Sequence, residues 1–145
     1  MKKRNRAFTL IELLVVIGIL AVLMGIVLVA INPNRQFKQA NDAKRNNDVR
    51  QILNAVGNYI ADNKGTIPTA ITTTAQNVKT GGADLCTLLV PTYISALPQD
   101  PDNNNGAAIT SCTSYDSGYQ IVQDANGRVS VSAPNAAFGT ISVTR

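Results

Sequence analysis

Residues 8–31 read FTLIELLVVIGILAVLMGIVLVAI, and from Leu13 onward the run holds only apolar residues and two glycines, Gly18 and Gly25. A helix rises about 1.5 Å per residue, and roughly 20 apolar residues cross a bilayer core. The run is therefore long enough to span a membrane. Two details set it apart from a plain anchor. One carboxylate, Glu12, sits one turn inside the apolar stretch, and a basic heptapeptide, MKKRNRA, comes immediately before it. A secretory signal peptide places small residues and a cleavage site after its apolar run. Here the small residue, Ala7, precedes it.

The arrangement Arg6-Ala7-Phe8-Thr9-Leu10-Ile11-Glu12 followed by a long apolar run resembles the type IV pilin and pseudopilin family. The resemblance implies a cut by prepilin peptidase between Ala7 and Phe8, N-methylation of the new Phe8 terminus, and a role for Glu12 in assembly. The family usually has Gly before the cut; this chain has Ala7, the nearest residue in size. The resemblance also implies an α+β fold: a long N-terminal helix packed on a small antiparallel β-sheet head. It covers about the first 60 residues.

Charge supports the same topology. The chain has 13 Lys and Arg against 9 Asp and Glu. Four of the cations, Lys2, Lys3, Arg4 and Arg6, lie in the leader, so the net +4 disappears if the leader is cut away. Basic residues flanking a membrane helix favour the cytoplasmic side. The N-terminus is thus expected inside and the C-terminal bulk outside. Residues 34–64 are net basic and residues 65–145 net acidic, a difference that could help neighbouring copies pack.

Organisation follows from composition: a cleaved leader at 1–7, a membrane helix at 8–31, an amphipathic second half of the stem at 32–64 and a head at 65–145. Gly18, Gly25 and Pro33 mark places where the helix could unwind, kink or restart. Val49, Ile52, Leu53, Val56, Tyr59 and Ile60 recur at spacings of three and four, and Arg45, Asn47, Asp48, Asn54 and Asn58 fill much of the remaining surface, so one face is expected on a core and the other wet. Gly65 is the expected C-terminal cap. A helix continuous from Phe8 to Asn63 would be about 84 Å long.

Thr66–Gly82 reads as a Thr-rich loop, Asp84–Tyr93 as a short helix or turn, and Pro98–Gly106 as a run of turns. Strands are expected at Tyr119–Gln123, Arg128–Ser132 and Ala137–Thr144, the last with Phe138, Ile141 and Val143 as apolar contacts. Cys86 and Cys112 both fall in the part expected outside, and an even count in an oxidising compartment suggests one disulfide.

The sequence has no His and no Trp, and Glu12 is its single Glu. Neither a nucleophile–base pair nor a phosphate loop is apparent, so an enzyme is not expected. No cofactor is required. Asp100, Asp102 and Asn104 alternate in a loop, a spacing that calcium can use. Arg35, Lys38, Lys44, Arg45 and Arg50 form a basic stretch without regular aromatic interleaving, which argues against direct nucleic-acid binding.

The expected function is the structural subunit of a type IV pilus. By resemblance it starts in the inner membrane and ends in an extracellular filament of its own copies and other pilins. Implied partners are prepilin peptidase, a membrane platform protein and an assembly ATPase. A type II secretion pseudopilin is the alternative within the family. A monomeric membrane-anchored binding module is the alternative outside it.

Overall fold

The computed structural model describes residues 8–145, so the leader and Ala7 lie outside the described residues. The chain divides after Phe37 into two compact units.

In the first unit, helix α1 spans Leu10–Ile31 and runs unbroken through Gly18 and Gly25. Its 22 residues correspond to about 33 Å, enough to cross a bilayer core. Every residue of it is exposed in the isolated chain. Of the outcomes open at Pro33, a kink or a restart, the chain takes the restart: α1 stops at Asn32, whose backbone is left-handed at φ 46°. Helix α2, Pro33–Asp62, restarts at once. Proline suits a first helical position because its missing N–H would have no partner there. Asn32 caps the new helix: its carbonyl and side-chain oxygen both accept from the Arg35 N–H, at 3.1 and 3.4 Å.

In the second unit, α2 packs Val49, Ile52, Leu53, Ala55 and Val56 into the core of the head. Two residues expected on its wet face, Arg45 and Asp48, are buried instead. The helix ends in a Schellman-type turn, in which the Gly65 N–H donates to the Ile60 carbonyl at 2.8 Å. The left-handed residue at the helix end is Lys64, φ 56°, with Gly65 following it.

The head carries a four-stranded antiparallel sheet in sequence order: β1 (Gln76–Lys79), β2 (Asp116–Gln123), β3 (Val129–Ala133) and β4 (Ile141–Thr144). Alternation places Ser117, Tyr119 and Ile121 of β2 on the buried face, beside Val129, Val131 and Ala133 of β3. Strand β1 lies inside the stretch expected to be a loop; only Val78 of its four residues is buried. The last strand is shorter than expected. It begins at Ile141, and Phe138 is 52% exposed, because the preceding loop is drawn to α2 through its backbone amides.

Helix α3 is a single turn, Cys86–Leu89, that brings Leu85 and Leu89 into the core. The buried Tyr115 hydroxyl fixes its start, accepting from the Leu85 and Cys86 N–H groups at 2.9 and 3.2 Å and donating to Asp84 at 2.9 Å. Burial first, then the Asp84 carboxylate, pushes that phenol up to about 12. Cys86 and Cys112 are joined in a disulfide that ties α3 to the strand-free segment before β2.

Closing a loop of this length contributes about 3–4 kcal/mol on the chain-entropy estimate. Replacing both cysteines by serine should lower the melting temperature of the head by many degrees and leave membrane insertion unchanged. Equal melting curves for the two forms would show that the bridge is dispensable. Peptide mapping without reductant checks the pairing itself.

Candidate functional site

Two charged sites stand out, one in each unit. At the start of α1, Thr9 and Glu12 form a reciprocal cap. The Glu12 carboxylate accepts from the Thr9 backbone N–H at 2.8 Å and from the Thr9 hydroxyl at 2.7 Å, while the Glu12 N–H donates to Thr9 Oγ1 at 3.3 Å. This is a capping box, satisfying backbone donors that a helix start leaves without partners. The pattern Thr-x-x-Glu ahead of an apolar run signals it in the sequence, and Thr9 was the residue that the sequence reading overlooked. Glu12 is the only charged side chain in α1. An unpaired carboxylate in hydrocarbon is costly, and the cap gives Glu12 two donors within its own helix.

The second site lies in the head and centres on Arg45. Its Nε and Nη2 form a fork on Asp100, at 2.8 and 2.9 Å, and both residues are essentially inaccessible to water. Nη2 also donates to Asp102 at 2.6 Å, and Nη1 to Asp42 at 3.0 Å. Two-point contacts of this kind are among the strongest side-chain hydrogen bonds. Asp42 in turn accepts from the Ala137 and Phe138 amides, at 3.0 and 2.9 Å for the shorter contact of each.

One helical turn on, Asp48 accepts from the Tyr119 hydroxyl at 2.7 Å and from Lys44 at 2.9 Å. Lys44 also reaches the Gln99 carbonyl at 2.7 Å. Close approach of the Asp100 loop to β2 depends on Gly118, whose φ is +77°. A Cβ there would lie 2.7 Å from the Asp100 Cβ.

The charges respond to one another. Burial pushes the Asp100 carboxyl up, but the Arg45 fork and the Asp102 N–H outweigh it and hold it below its usual range. Burial likewise opposes ionisation of Asp42, and the Ala137 amide and Arg45 reverse that effect. The Asp100 hydrogen bonds raise Arg45 above its ordinary value. Burial, then Asp48, raises the Tyr119 phenol.

This arrangement places the residues read as a calcium site. Asp100 and Asp102 converge on a guanidinium, and Asn104 lies apart in a short 3-10 turn, Asn104–Gly106. A cation would have to displace Arg45, so the geometry lends calcium no support. Among the described residues no group of three or more His, Cys, Asp or Glu side chains is placed to hold a metal ion. Of the basic stretch on α2, Lys44 and Arg45 are committed to carboxylates inside the head.

Residues 2–28 match the family model for the prokaryotic N-terminal methylation motif, the prepilin-type motif of type IV pilins and pseudopilins. No curated protein and no solved structure matches the chain. The long apolar helix, the second helix and the small four-stranded antiparallel sheet together make a pilin-like α+β architecture.

Truncating Arg45 leaves Asp100 buried without a counter-charge. Arg45→Met should therefore cost about 3–5 kcal/mol, and adding Asp100→Leu should recover much of the loss, since an apolar pair can replace a buried ion pair. Chemical denaturation of the three forms checks this; a double variant no more stable than Arg45→Met would contradict it. The pH dependence follows in sign. Asp100 and Asp42 have folded pKa values below the unfolded value of about 3.9. Their contribution is complete above that value and is lost as pH falls through the folded ones. Denaturation midpoints measured from pH 6 downward should fall below about pH 4, and Asp100→Asn should flatten that decline.

Proposed function

We propose that this chain is the structural subunit of a type IV pilus, held in the inner membrane by α1 until it is extracted into a helical filament. The observation that carries the reading is a coincidence. The methylation motif at residues 2–28 overlaps a helix that, Glu12 apart, is apolar on every side and exposed along its whole length in the single chain. An all-apolar helix requires either lipid or the interior of an assembly. A filament subunit uses both in turn.

The chemistry at the terminus supports the same order of events. Prepilin peptidase would cut between Ala7 and Phe8, leaving a positively charged amine on Phe8 that N-methylation preserves. That amine would arise one residue before Thr9, whose N–H already donates to Glu12. In lipid the cap and the nearby interface let Glu12 be tolerated. Inside a dry fibre the carboxylate requires a full counter-charge. The Phe8 amine of a neighbouring copy supplies one and sets the axial register, because a shifted neighbour would leave a charge unpaired. The platform protein and assembly ATPase implied by this family would supply the work. The head, with its disulfide and its Arg45 network, forms the outer surface.

Glu12→Ala and Glu12→Leu should each insert and be cleaved normally yet yield few or no filaments. Normal filament yield from both would show the carboxylate to be dispensable. Mass spectrometry of sheared surface filaments tests the whole reading. The expected result is this chain beginning at an N-methylated Phe8. Intact leader on a detergent-extracted monomer would favour an anchored module. Loss of protein secretion without surface filaments, on deletion, would favour a pseudopilin.

A further inference from the structure

The head leaves one edge of its sheet open. Strand β4 is terminal in the order β1-β2-β3-β4. Arg145 and Val129 exchange both backbone hydrogen bonds at 2.9 Å. Antiparallel ladders alternate bonded and non-bonded pairs. The next bonded pairs are therefore Val143 with Val131 and Ile141 with Ala133, and the backbone groups of Ser142 and Thr144 point away from the sheet. The opposite edge is treated differently: on β1, the Asn77 carbonyl accepts from the Ala83 N–H at 3.0 Å, so a turn folds over it. Proteins often protect open edges with lysine, proline or a bulge. β4 reads Ile-Ser-Val-Thr, pairs with β3 in regular register, and carries none of these.

A cleft of about 230 Å³ adjoins this edge, lined by Arg50, Leu53, Asn54, Val143, Thr144 and Arg145. Its lining combines two apolar residues, Leu53 and Val143, with two arginines, Arg50 and Arg145. Gly57 gives Arg145 room to lie across α2, since a Cβ there would come within 3.1 Å of Arg145 Nη1. That nitrogen donates to Asn54 at 3.4 Å. Arg50 is exposed and makes no ion pair among the described residues. The nearest aspartates of α2, Asp42 and Asp48, are turned into the head and held there. No carboxylate side chain lines the cleft.

We propose that β4 and this cleft form a docking site for an extended, acidic peptide segment of another protein. The segment adds as a fifth strand on Ser142 and Thr144 and sets its carboxylates against Arg50 and Arg145. Main-chain bonds supply affinity in strand addition, and alternate side chains supply selectivity. This chain does not offer the segment itself. Its exposed aspartates are Asp62 at the end of α2, Asp102 on Arg45, and Asp116 at the start of β2, and no two of them alternate along an exposed strand.

The test uses the full chain in detergent micelles and a labelled, capped peptide alternating aspartate and valine, read by fluorescence anisotropy. A peptide with lysine in place of aspartate, and the Asp–Val peptide N-methylated at alternate backbone amides, are the comparisons. The Asp–Val peptide should bind about tenfold tighter than the Lys–Val peptide, and Arg50→Glu should remove that preference. Ser142→Pro should abolish binding without lowering the melting temperature, because the lost N–H points outward. N-methylation of one set of alternate amides should abolish binding to the unaltered protein, which decides the matter even if Ser142→Pro fails to fold. No binding, equal binding of the two charge types, or unchanged binding of both N-methylated registers would overturn the proposal.

Discussion

Everything in the head is arranged around one guanidinium. Arg45 projects from the fourth turn of α2 into a site shielded from solvent, where a lone charge could not persist. Its three partners come from two places in the sequence: Asp42 on the same helix, and Asp100 and Asp102 on the loop before the 3-10 turn. Asp42 carries the link onward to the amides of the loop before β4. One side chain thus fixes two segments that have little regular secondary structure of their own. Apolar contacts could bring those loops close, but they are not directional. A fork with two donors at set angles also specifies where the loop stops. The Asp48–Tyr119 bond repeats the device one turn further along, tying the helix to the middle strand pair.

The first unit obeys a different constraint. Burying apolar surface lowers free energy by about 25 cal/mol per Å², and no residue of α1 is buried in the isolated chain. Its packing has to come from outside the chain, whether from lipid or from other helices. The separation of the two units at Phe37 fits that division of labour. The head closes its own core and pairs its buried charges, Arg45, Asp48 and Asp100, internally. The helix is left with one polar group, Glu12, whose cap is local and can exchange for a better partner.

How much of this could be read from the sequence varies with range. The apolar helix and the 3.6-residue period of Val49, Ile52 and Val56 are strong local signals, and both were legible. The restart at Asn32-Pro33 was legible as one of two outcomes. Strand β1 was not, because Gln76–Lys79 places a single apolar residue among polar ones and gains its structure from pairing with β2. Arg45 and Asp48 were assigned to the wet face on polarity alone. Their spacing said otherwise, since Arg45, Asp48, Val49 and Ile52 share one helical face. The Asp100–Arg45 pair joins residues far apart in sequence, and nothing local in either segment selects that partner over solvent or a cation. Phe138 was placed in the core because it alternates with later residues. The Asp42 bonds to its backbone, also long-range, decide instead that the strand begins after it.

The inward commitment of charge also determines what the protein shows to its surroundings. α2 contains three aspartates, and the first two face the head, each held by at least two donors. Between Pro33 and Ala61 the exposed side chains of this helix are therefore cations, amides and small residues, with Phe37 as the large apolar exception. A net charge near zero for the chain without its leader conceals this asymmetry, because the missing negative charge is inside the fold. Removing any one inner partner would do more than loosen the core. Without Arg45, Asp42 would keep its Ala137 and Phe138 amides but lose its counter-charge, and the helix that presents Arg50 would carry an uncompensated negative charge. The buried network and the surface of α2 are thus two sides of one distribution of charge, and the stability of the first preserves the character of the second.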